Sequence, residues 1–214
     1  MTAEILTCEQ RSPEWYSARL GIPTASEFKS VLAKGEGKVR KAYMLRLAGE
    51  RLTGVAAESY ENDYMIRGRE LEAEARELYC FTHDADVDQV GFIRNGDAGC
   101  SPDGLIALTG MCEIKSKLPH LQIECLLRDD LPPEHRAQVQ GSLLVAEREW
   151  LDFISYWPGL PLCVRRIHRD EAYIENLALE VARFNDELAL IVEQVQRYGQ
   201  PPREVLREQL RASL

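Results

Sequence analysis

Two carboxylates and a lysine near the middle of the chain have the types and spacing of a hydrolytic site. Asp103 lies between Pro102 and Gly104, and Glu113 and Lys115 follow ten and twelve residues later. Converging carboxylates repel each other unless a cation lies between them, and hard oxygen ligands select Mg²⁺ or Mn²⁺. A lysine facing the same point can hold or deprotonate a water, or stabilise charge on a phosphate. This set matches the needs of metal-dependent phosphodiester hydrolysis.

A β-hairpin is the element that must bring these residues together. Two apolar runs flank the Thr-Gly pair at 109–110, which is typical of a hairpin. Side chains alternate along a strand, so Glu113 and Lys115 share one face and Ile114 points into the core. Asp103 then reaches Glu113, and the Ile114 backbone carbonyl is a candidate further metal ligand. A solvated hairpin with ordinary charges has the same spacing, so the pattern alone leaves both interpretations open.

Hydrophobic periodicity predicts an α/β fold with a mixed central β-sheet flanked by helices. The predicted helices are 12–20, 24 to about 32, 40–53, about 63–82, one that begins near 132, and about 171–198. The predicted strands are 87–93, 105–108, 111–115, 150–157 and 162–167. A short tail follows the Pro-Pro pair at 201–202. No internal repeat or low-complexity linker interrupts the chain, so we expect one domain over residues 1–214.

The composition is that of a globular protein. Of the 214 residues, 45% are hydrophobic and 29% are charged, which excludes a disordered, collagenous or coiled-coil chain. The chain contains no apolar run of membrane-spanning length, and its first residues lack the pattern of a secretory signal. The six cysteines include no C-x-x-C pair, which disfavours a disulfide framework or a zinc ribbon. We therefore expect a cytoplasmic protein with reduced thiols.

The distribution of charge is uneven. A net charge of −9 ordinarily argues against nucleic-acid binding. Residues 29–51, however, carry seven basic and two acidic residues, whereas residues 61–100 carry ten acidic and four basic ones. A basic segment can bind a polyanion, although most charge runs are simply solvated faces. The candidate DNA-contacting residues are Lys34, Lys38, Arg40 and Lys41.

A further acid, Glu72, lies on the helix predicted over 63–82. At helical spacing it shares a face with Gly68, Ala75 and Tyr79. This placement allows Glu72 to join the carboxylate site, but a surface glutamate among its acidic neighbours explains the sequence equally well.

Several ordered blocks of the chain resemble a known nuclease family. The Pro-Asp-Gly and Glu-Ile-Lys segments at 102–104 and 113–115 resemble the PD-(D/E)xK nuclease motif. The wider sequence, over about residues 10–195, resembles the phage lambda exonuclease family of YqaJ-type viral recombinases. The blocks that carry this resemblance are Trp15-x-x-x-Arg19-Leu20-Gly21-Ile22-Pro23-Thr24-Ala25-Ser26-Glu27, Gly68-Arg69-Glu70-Leu71-Glu72, Cys100-Ser101-Pro102-Asp103-Gly104, Ala137-Gln138-Val139-Gln140 and Arg169-Asp170-Glu171-Ala172-Tyr173.

The resemblance implies a fold, an activity and partners. The family has a restriction-endonuclease-like core, forms a ring-shaped homotrimer and degrades one strand of duplex DNA processively from the 5′ end. This leaves 3′ single-stranded tails for recombination, and the expected partner is a phage-type single-strand annealing protein. The expected cofactor is Mg²⁺, with Mn²⁺ as an alternative and two ions per site. We accordingly expect a cytoplasmic enzyme encoded by a bacterium, a phage or a prophage.

The resemblance also implies roles for catalytic residues. Asp103 and Glu113 would hold the metals, and the Ile114 carbonyl would be a further ligand. Lys115 would serve the attacking water. The metal and water shell would be completed by Glu72 and Gln138.

A phosphate pocket follows from the same resemblance. Arg19 matches the arginine that grips the terminal 5′-phosphate, and Ser26 and Ser101 match hydroxyls of that pocket. Arginine suits this role because it binds phosphate in a bidentate manner. The alternatives are a surface arginine, a helix-start serine and a turn serine. His120 and His135 are candidate supporting groups or merely exposed, and the segment 116–120 departs from relatives that carry Cys-Pro there.

Three other functions remain open from the sequence. An endonuclease of restriction or repair type uses the same core, but it has no use for a terminal phosphate pocket. A non-catalytic DNA-end-binding subunit would keep the fold, yet the intact acidic residues and lysine speak against it. A hydrolase of small phosphate esters leaves the basic stretch over 29–51 unexplained.

Overall fold

Strands and helices alternate along the chain in a computed structural model that describes residues 2–33, 37–57, 63–128 and 130–199. Lys34 and the tail from residue 200 onward lie outside the described residues. The helices are α1 (Pro13–Ala18), α2 (Phe28–Val31), α3 (Lys38–Thr53), α4 (Asp63–His83), α5 (Pro119–Arg128), α6 (Arg136–Ala146) and α7 (Glu171–Gln196). The strands are β1 (Glu4–Leu6), β2 (Val87–Asp88), β3 (Phe92–Asn95), β4 (Ala98–Cys100), β5 (Gly104–Ile106), β6 (Gly110–Ser116), β7 (Trp150–Tyr156) and β8 (Cys163–His168).

A mixed five-stranded sheet forms the centre of the fold, in the order β2-β5-β6-β7-β8. The predicted hairpin is present as β5 and β6, which pair antiparallel from Gly104–Cys112 to Ile106–Gly110. β6 also pairs parallel with β7 along its whole length. The remaining pairs in this sheet are antiparallel. The α/β class and the mixed sheet predicted from the sequence are therefore confirmed.

The strand predicted over 87–93 is wrong as one continuous strand. β2 belongs to the five-stranded sheet, whereas β3 belongs to a separate three-stranded sheet of order β1-β3-β4. The break falls at Gly91, whose N–H donates to the Leu6 carbonyl at 3.2 Å. A Cβ on Gly91 would lie 2.1 Å from the Cys8 carbonyl oxygen, so only glycine allows this close approach to the N-terminal segment.

The alternation of side chains along β6 and β7 gives the sheet two buried faces. Met111 and Phe153 face the larger core, which α3, α6 and α7 cover. Ile114 and Ile154 face the opposite side, where they pack with Tyr79 of α4. Ile114 therefore points into the core, as the hairpin pattern predicts. Glu113 is on the opposite face of β6, the face that also carries Met111.

The closing helix α7 begins at an aspartate cap. The Asp170 side chain accepts a hydrogen bond from the Tyr173 N–H, which is the usual way to satisfy the first turn. Leu177, Phe184 and Leu188 recur at helical spacing and are fully buried. The sequence pattern places this helix at about 171–198, and the structure ends it at Gln196.

Two short elements near the N-terminus replace the helix predicted over 24–32. A 3₁₀ turn covers Ala25–Glu27, and α2 follows it from Phe28. Three observed elements, β1, β4 and α5, were not predicted from the sequence. The buried Gln122 holds α5 in place, because its amide donates to the carbonyls of Ser155 at 3.0 Å and Pro161 at 2.9 Å.

In the described part of the chain, no helix combines the length and the apolar composition that crossing a membrane requires.

Candidate active site

The start of β5 fixes Asp103 against the neighbouring strand. Its N–H donates to the Cys112 carbonyl at 3.1 Å, and its Oδ2 accepts from the Ile114 N–H at 2.6 Å. The regular β5–β6 register ends at Gly104–Cys112, so the Asp103 side chain takes the place of the next strand residue. A strand residue points its N–H and C=O toward the same neighbour, which directs the Ile114 carbonyl to the Asp103 side as well.

On the face of β6 opposite Ile114, the Glu113 carboxylate contacts two polar side chains. Only 4% of Glu113 is exposed. Its Oε1 lies 2.6 Å from Lys115 Nζ and also accepts from Gln138 Nε2 at 2.6 Å. Gln138 comes from α6, so the glutamine that the resemblance placed in the shell does reach the carboxylate.

Burial and mutual repulsion dominate the electrostatics of this cluster. Burial raises the pKa of Asp103 well above its usual value, and the charges of Glu113 and Glu72 raise it further. Burial alone would lower the pKa of Lys115, but the carboxylates of Glu113 and Asp103 outweigh that effect and raise it. The carboxyl groups of Asp103 and Glu113 thus share one ammonium, and Glu72 adds negative charge nearby, an arrangement that an added cation would stabilise.

Glu72 lies on α4, within electrostatic reach of Asp103. Arg76, one helical turn later, donates a hydrogen bond to its Oε1. Glu72 is therefore beside the cluster rather than on the open surface, in agreement with the helical face assigned from the sequence.

One cavity extends from Lys115, at the margin of this cluster, to the N-terminal segment. It has a volume of about 630 Å³, and its wall includes Arg19, Ser26 and Lys115. Two residues that the resemblance placed in the phosphate pocket therefore share a cavity with the lysine of the hydrolytic set. The Ser26 side chain is exposed, and its Oγ lies 3.2 Å from the Thr24 hydroxyl.

Trp15 organises the other side of this cavity. The Arg19 guanidinium lies 4.0 Å from the centre of the Trp15 ring, and burial lowers the pKa of Arg19. Arginine nonetheless stays charged in proteins, so the pocket offers a partly dehydrated cation. Trp15 Nε1 donates to Ser101 Oγ at 2.9 Å and to the Gly91 carbonyl at 3.0 Å. The buried Trp15 therefore also places Ser101, which is not among the residues that line the cavity.

Helix α3 contributes residues to the cavity wall that were not predicted from the sequence. The Tyr43 hydroxyl accepts from the Thr24 N–H at 3.0 Å, and Arg46 lies over its ring. Glu50 Oε2 accepts from the Gly21 N–H at 2.8 Å. Residues 43, 46 and 50 lie three and four positions apart on one helical face. That spacing was the available signal, but it does not say which loop the face contacts.

The two predicted histidines have different surroundings. His120 is exposed at the start of α5. His135 packs on Phe153 with ring centres 5.1 Å apart, and burial, followed by repulsion from Lys117 and Lys115, lowers its pKa to about 4.

The basic residues proposed to contact DNA differ in how they are held. Lys38 and Lys41 are exposed on α3. Arg40 instead donates to both carboxylate oxygens of Glu187, at 2.5 and 3.0 Å, and joins α3 to α7. The structure does not bring these three residues into the cavity, and Lys34 is outside the described residues.

Within the described ranges, no group of three or more histidine, cysteine, aspartate or glutamate side chains forms a ready-made metal cage. The candidate donor set is the carboxylates of Asp103 and Glu113 with the Ile114 carbonyl. Mg²⁺ is usually held by one or two carboxylates, with waters and substrate phosphates as the other ligands. The donor set fits such an ion better than it fits a structural metal.

The chain is similar to nucleases of phage type in sequence and in fold. The family of the YqaJ-like viral recombinase domain matches residues 14–149. The crystal structure of an alkaline exonuclease, LHK-Exo from Laribacter hongkongensis, is 36% identical, with a TM-score of 0.81, over 87% of this chain and 97% of that chain. The same enzyme in complex with dAMP gives 37% identity, a TM-score of 0.82 and the same coverage.

A more distant likeness concerns the fold alone. A phage-related exonuclease from Haemophilus somnus 129PT is 14% identical, with a TM-score of 0.61, over 84% of this chain and 99% of that chain. No curated protein sequence matches the chain. The length of the family match and the identity to LHK-Exo show that the chain is an exonuclease that belongs to the YqaJ-like viral recombinase family.

Proposed function

We propose that this exonuclease hydrolyses one strand of duplex DNA from a 5′-phosphorylated end in the 5′→3′ direction and depends on Mg²⁺. The observation that carries the proposal is the shared cavity of about 630 Å³. Arg19 and Ser26 lie on its wall together with Lys115, whose ammonium contacts the Glu113 carboxylate at 2.6 Å. The anchor for a terminal phosphate thus shares a cavity with the lysine that contacts the carboxylate cluster. Removal of nucleotides from that end would leave 3′ single-stranded tails.

Asp103 and Glu113, with the Ile114 carbonyl, would hold the divalent ions, two per site, with Mn²⁺ as a possible substitute for Mg²⁺. When bound, such an ion supplies a Lewis acid and lowers the pKa of a coordinated water. The raised pKa of Asp103 supports this assignment, because crowded buried carboxylates gain most from a nearby cation.

The other residues of the cluster orient the reacting groups. Gln138 and Lys115 both contact Glu113 Oε1 and fix the direction of that carboxylate. Because its carboxylate neighbours raise the pKa of Lys115, the side chain is a cation, suited to hold a water by hydrogen bonding and to stabilise charge on the phosphate. Glu72 would complete the shell from α4.

The phosphate pocket would set the direction in which the enzyme degrades a strand, because it would bind the 5′ end. Arg19, whose guanidinium lies 4.0 Å from the centre of the Trp15 ring, presents a group that binds phosphate oxygens in a bidentate manner. The hydroxyls of Ser26 and Ser101 would add hydrogen bonds to the same group. A terminal 5′-phosphate bound there would place the first phosphodiester toward the acidic cluster.

The wider setting follows from membership of the family. We propose a restriction-endonuclease-like core, a ring-shaped homotrimer, and a phage-type single-strand annealing protein as partner in a cytoplasmic recombination reaction. LHK-Exo has been crystallised in complex with dAMP, and a nucleoside monophosphate is the product expected of this activity.

Linear duplex DNA labelled at one 3′ end tests the proposal directly. Purified protein with Mg²⁺ should shorten the labelled strand stepwise from its 5′ end, faster when that end carries phosphate, and should leave a closed circular duplex intact. Lys115→Ala should bind the same DNA without cutting it. Cutting of the circle would instead indicate an endonuclease, and binding without cleavage by the natural protein would indicate a non-catalytic end-binding subunit.

A further inference from the structure

Arg76 lies beside the acidic cluster, yet the proposed reaction assigns it no role. It follows Glu72 by one turn of α4 and donates a hydrogen bond to the Glu72 carboxylate. Only 14% of its side chain is exposed, compared with 31% for that of Glu72. The cation of this pair is therefore more deeply buried than its acid.

A second contact holds the Arg76 guanidinium from the opposite side. With the Gln89 amide oriented by its hydrogen bonds, Gln89 Oε1 accepts from Arg76 Nη1 at 2.9 Å and from Nη2 at 3.2 Å. Gln89 follows β2, so the arginine spans from α4 to the edge of the five-stranded sheet. Arg76 also affects β6, where its charge opposes the rise in the pKa of Cys112 that burial causes.

This environment differs from that of an ordinary helical ion pair. Arg128 and Glu124 on α5 have the same four-residue spacing, but their side chains are 41% and 59% exposed. Exposed pairs of that kind contribute little to stability. A buried guanidinium is costly unless its hydrogen bonds are made, and Arg76 Nε is buried without a hydrogen-bond partner among the described residues. The position of Arg76 therefore carries an energetic cost, which a role at the adjacent cluster would explain.

We propose that Arg76 is a positioning residue that holds the Glu72 carboxylate toward Asp103 and thereby raises the affinity of the site for its divalent cation. Glu72 carries the same charge as Asp103 and Glu113, so repulsion drives it outward. Because the Glu72 side chain is partly exposed, its carboxylate can rotate toward the solvent. The bond from Arg76, itself anchored by Gln89, prevents that rotation. The inference rests on the proposed metal-dependent function.

Calorimetric titration of the full-length protein with Mn²⁺ alone, without DNA, measures this effect. Substitution of groups that orient metal ligands typically weakens binding by about 10–100-fold. Arg76→Gln should therefore bind Mn²⁺ about 10-fold more weakly than the natural protein. Glu72→Gln should show a similar loss, and the double variant should be no weaker than either single one, because both act through the same carboxylate. Arg76→Lys should fall between, since it keeps the charge but cannot span Glu72 and Gln89.

Two further variants keep the test decisive. Gln89→Ala removes the anchor at an exposed position, so it preserves the fold, and we expect about 3-fold weaker binding. Arg128→Gln breaks the matched pair on α5 and should leave the affinity unchanged. If Arg76→Gln or, should that variant not fold, Gln89→Ala binds Mn²⁺ like the natural protein, the inference is overturned while the exonuclease proposal stands. If the natural protein binds neither Mn²⁺ nor Mg²⁺, both fall.

Discussion

Arg19 is the residue whose environment best distinguishes a phosphate anchor from a surface charge. Its guanidinium lies 4.0 Å from the Trp15 ring centre, and burial already lowers its pKa, so part of the cost of dehydration is met before a ligand arrives. Trp15 also fixes Ser101 through its indole N–H. One buried aromatic side chain thus sets the positions of two of the three proposed phosphate-binding groups.

Arg19→Ala should erase most of the preference for a 5′-phosphorylated end. A hydrogen bond to a charged group contributes about 1.5–3 kcal/mol, which corresponds to a loss of roughly 10–100-fold in kcat/KM on phosphorylated ends. Ends that carry a hydroxyl should be cut at nearly the natural rate. Parallel assays on the two substrates measure the ratio. A variant that still distinguishes the two ends as before would place the phosphate pocket elsewhere in the molecule.

His135 gives a prediction about stability rather than catalysis. Burial, followed by Lys117 and Lys115, lowers its pKa to about 4 in the folded protein, whereas an unfolded histidine titrates near about 6.5. Between these values the unfolded chain binds more protons, so stability falls as the pH decreases from about 6.5 to about 4. His135→Gln should lose that part of the dependence and gain on the order of 1–3 kcal/mol relative to the natural protein by pH 4.

Urea unfolding of both proteins between pH 4 and pH 7.5 checks this expectation. The difference in the free energy of unfolding should be nearly constant above about pH 7 and should shift in favour of the variant as the pH falls from about 6.5 to about 4. Carboxylates elsewhere titrate in both proteins and cancel in the difference. Two curves that run parallel would mean that His135 is protonated as easily in the folded state as in the unfolded one.

At the scale of elements, α4 is held to the sheet by a buried charge on the face away from Glu113. Asp152 of β7 is 1% exposed. Its Oδ2 accepts from the Tyr79 hydroxyl at 2.6 Å, and both its oxygens accept from Arg166, at 2.9 and 2.8 Å. Arg166 in turn lies over the Trp150 ring. The helix that carries Glu72 is therefore tied to the same sheet that carries the hydrolytic residues.

Asp152→Ala should destabilise the protein by about 1–3 kcal/mol, because it leaves the buried tyrosine hydroxyl without its acceptor, whereas the half-exposed Arg166 can be hydrated. Tyr79→Phe, which removes one hydrogen bond, should cost only about 1 kcal/mol. Arg183→Ala, which removes an exposed pair with Glu180, serves as the surface control and should change stability by less than about 0.5 kcal/mol. Chemical denaturation measures all three. A cost for Asp152→Ala as small as that of the control would show that the network is solvated.

Local patterns predicted the elements whose residues interact with near neighbours in the sequence. The hairpin that carries Asp103 and Glu113 follows from strand alternation around a Thr-Gly turn, and α7 follows from its helical repeat. The run over 87–93 has equally good strand character, but its division at Gly91 depends on contact with Cys8, more than eighty residues earlier. No pattern within the run records that contact.

The candidate site shows the same division. Asp103, Glu113 and Lys115 could be grouped from their spacing alone, because one hairpin carries them. Gln138 was identified only through the family resemblance. It lies on α6, in the connection between the parallel strands β6 and β7, and its contact with Glu113 depends on how that connection packs on the sheet. The α3 residues on the cavity wall escaped prediction because their partners lie in the loop over 19–24, and the helical pattern of α3 does not identify its neighbour.

At the scale of the whole molecule, an acidic protein must bind a polyanion. The net charge is −9, but exposed lysines concentrate on α3 while acidic residues concentrate on and after α4. A chain divided in this way can present a locally basic element to DNA although its net charge is negative. Composition counts Arg40 with the lysines of α3, but the structure separates them. Arg40 is neutralised within the fold by its ion pair with Glu187, whereas the lysines of α3 are exposed.

We therefore expect the exposed lysines of α3, but not Arg40, to contribute to the salt dependence of DNA binding. Each phosphate contact adds about 0.9 to the slope of log affinity against log salt concentration. Lys38→Gln and Lys41→Gln should each reduce that slope by about 1. Arg40→Gln should leave the slope nearly unchanged, because its guanidinium is engaged by Glu187, and should instead lower stability by about 1 kcal/mol. Binding of a phosphorylated duplex end to the Lys115→Ala background, measured from 50 to 300 mM salt, gives the slopes without cleavage. An equal reduction for all three variants would mean that Arg40 also contacts phosphate despite its pair with Glu187. No reduction for Lys38→Gln or Lys41→Gln would mean that α3 does not contact the DNA.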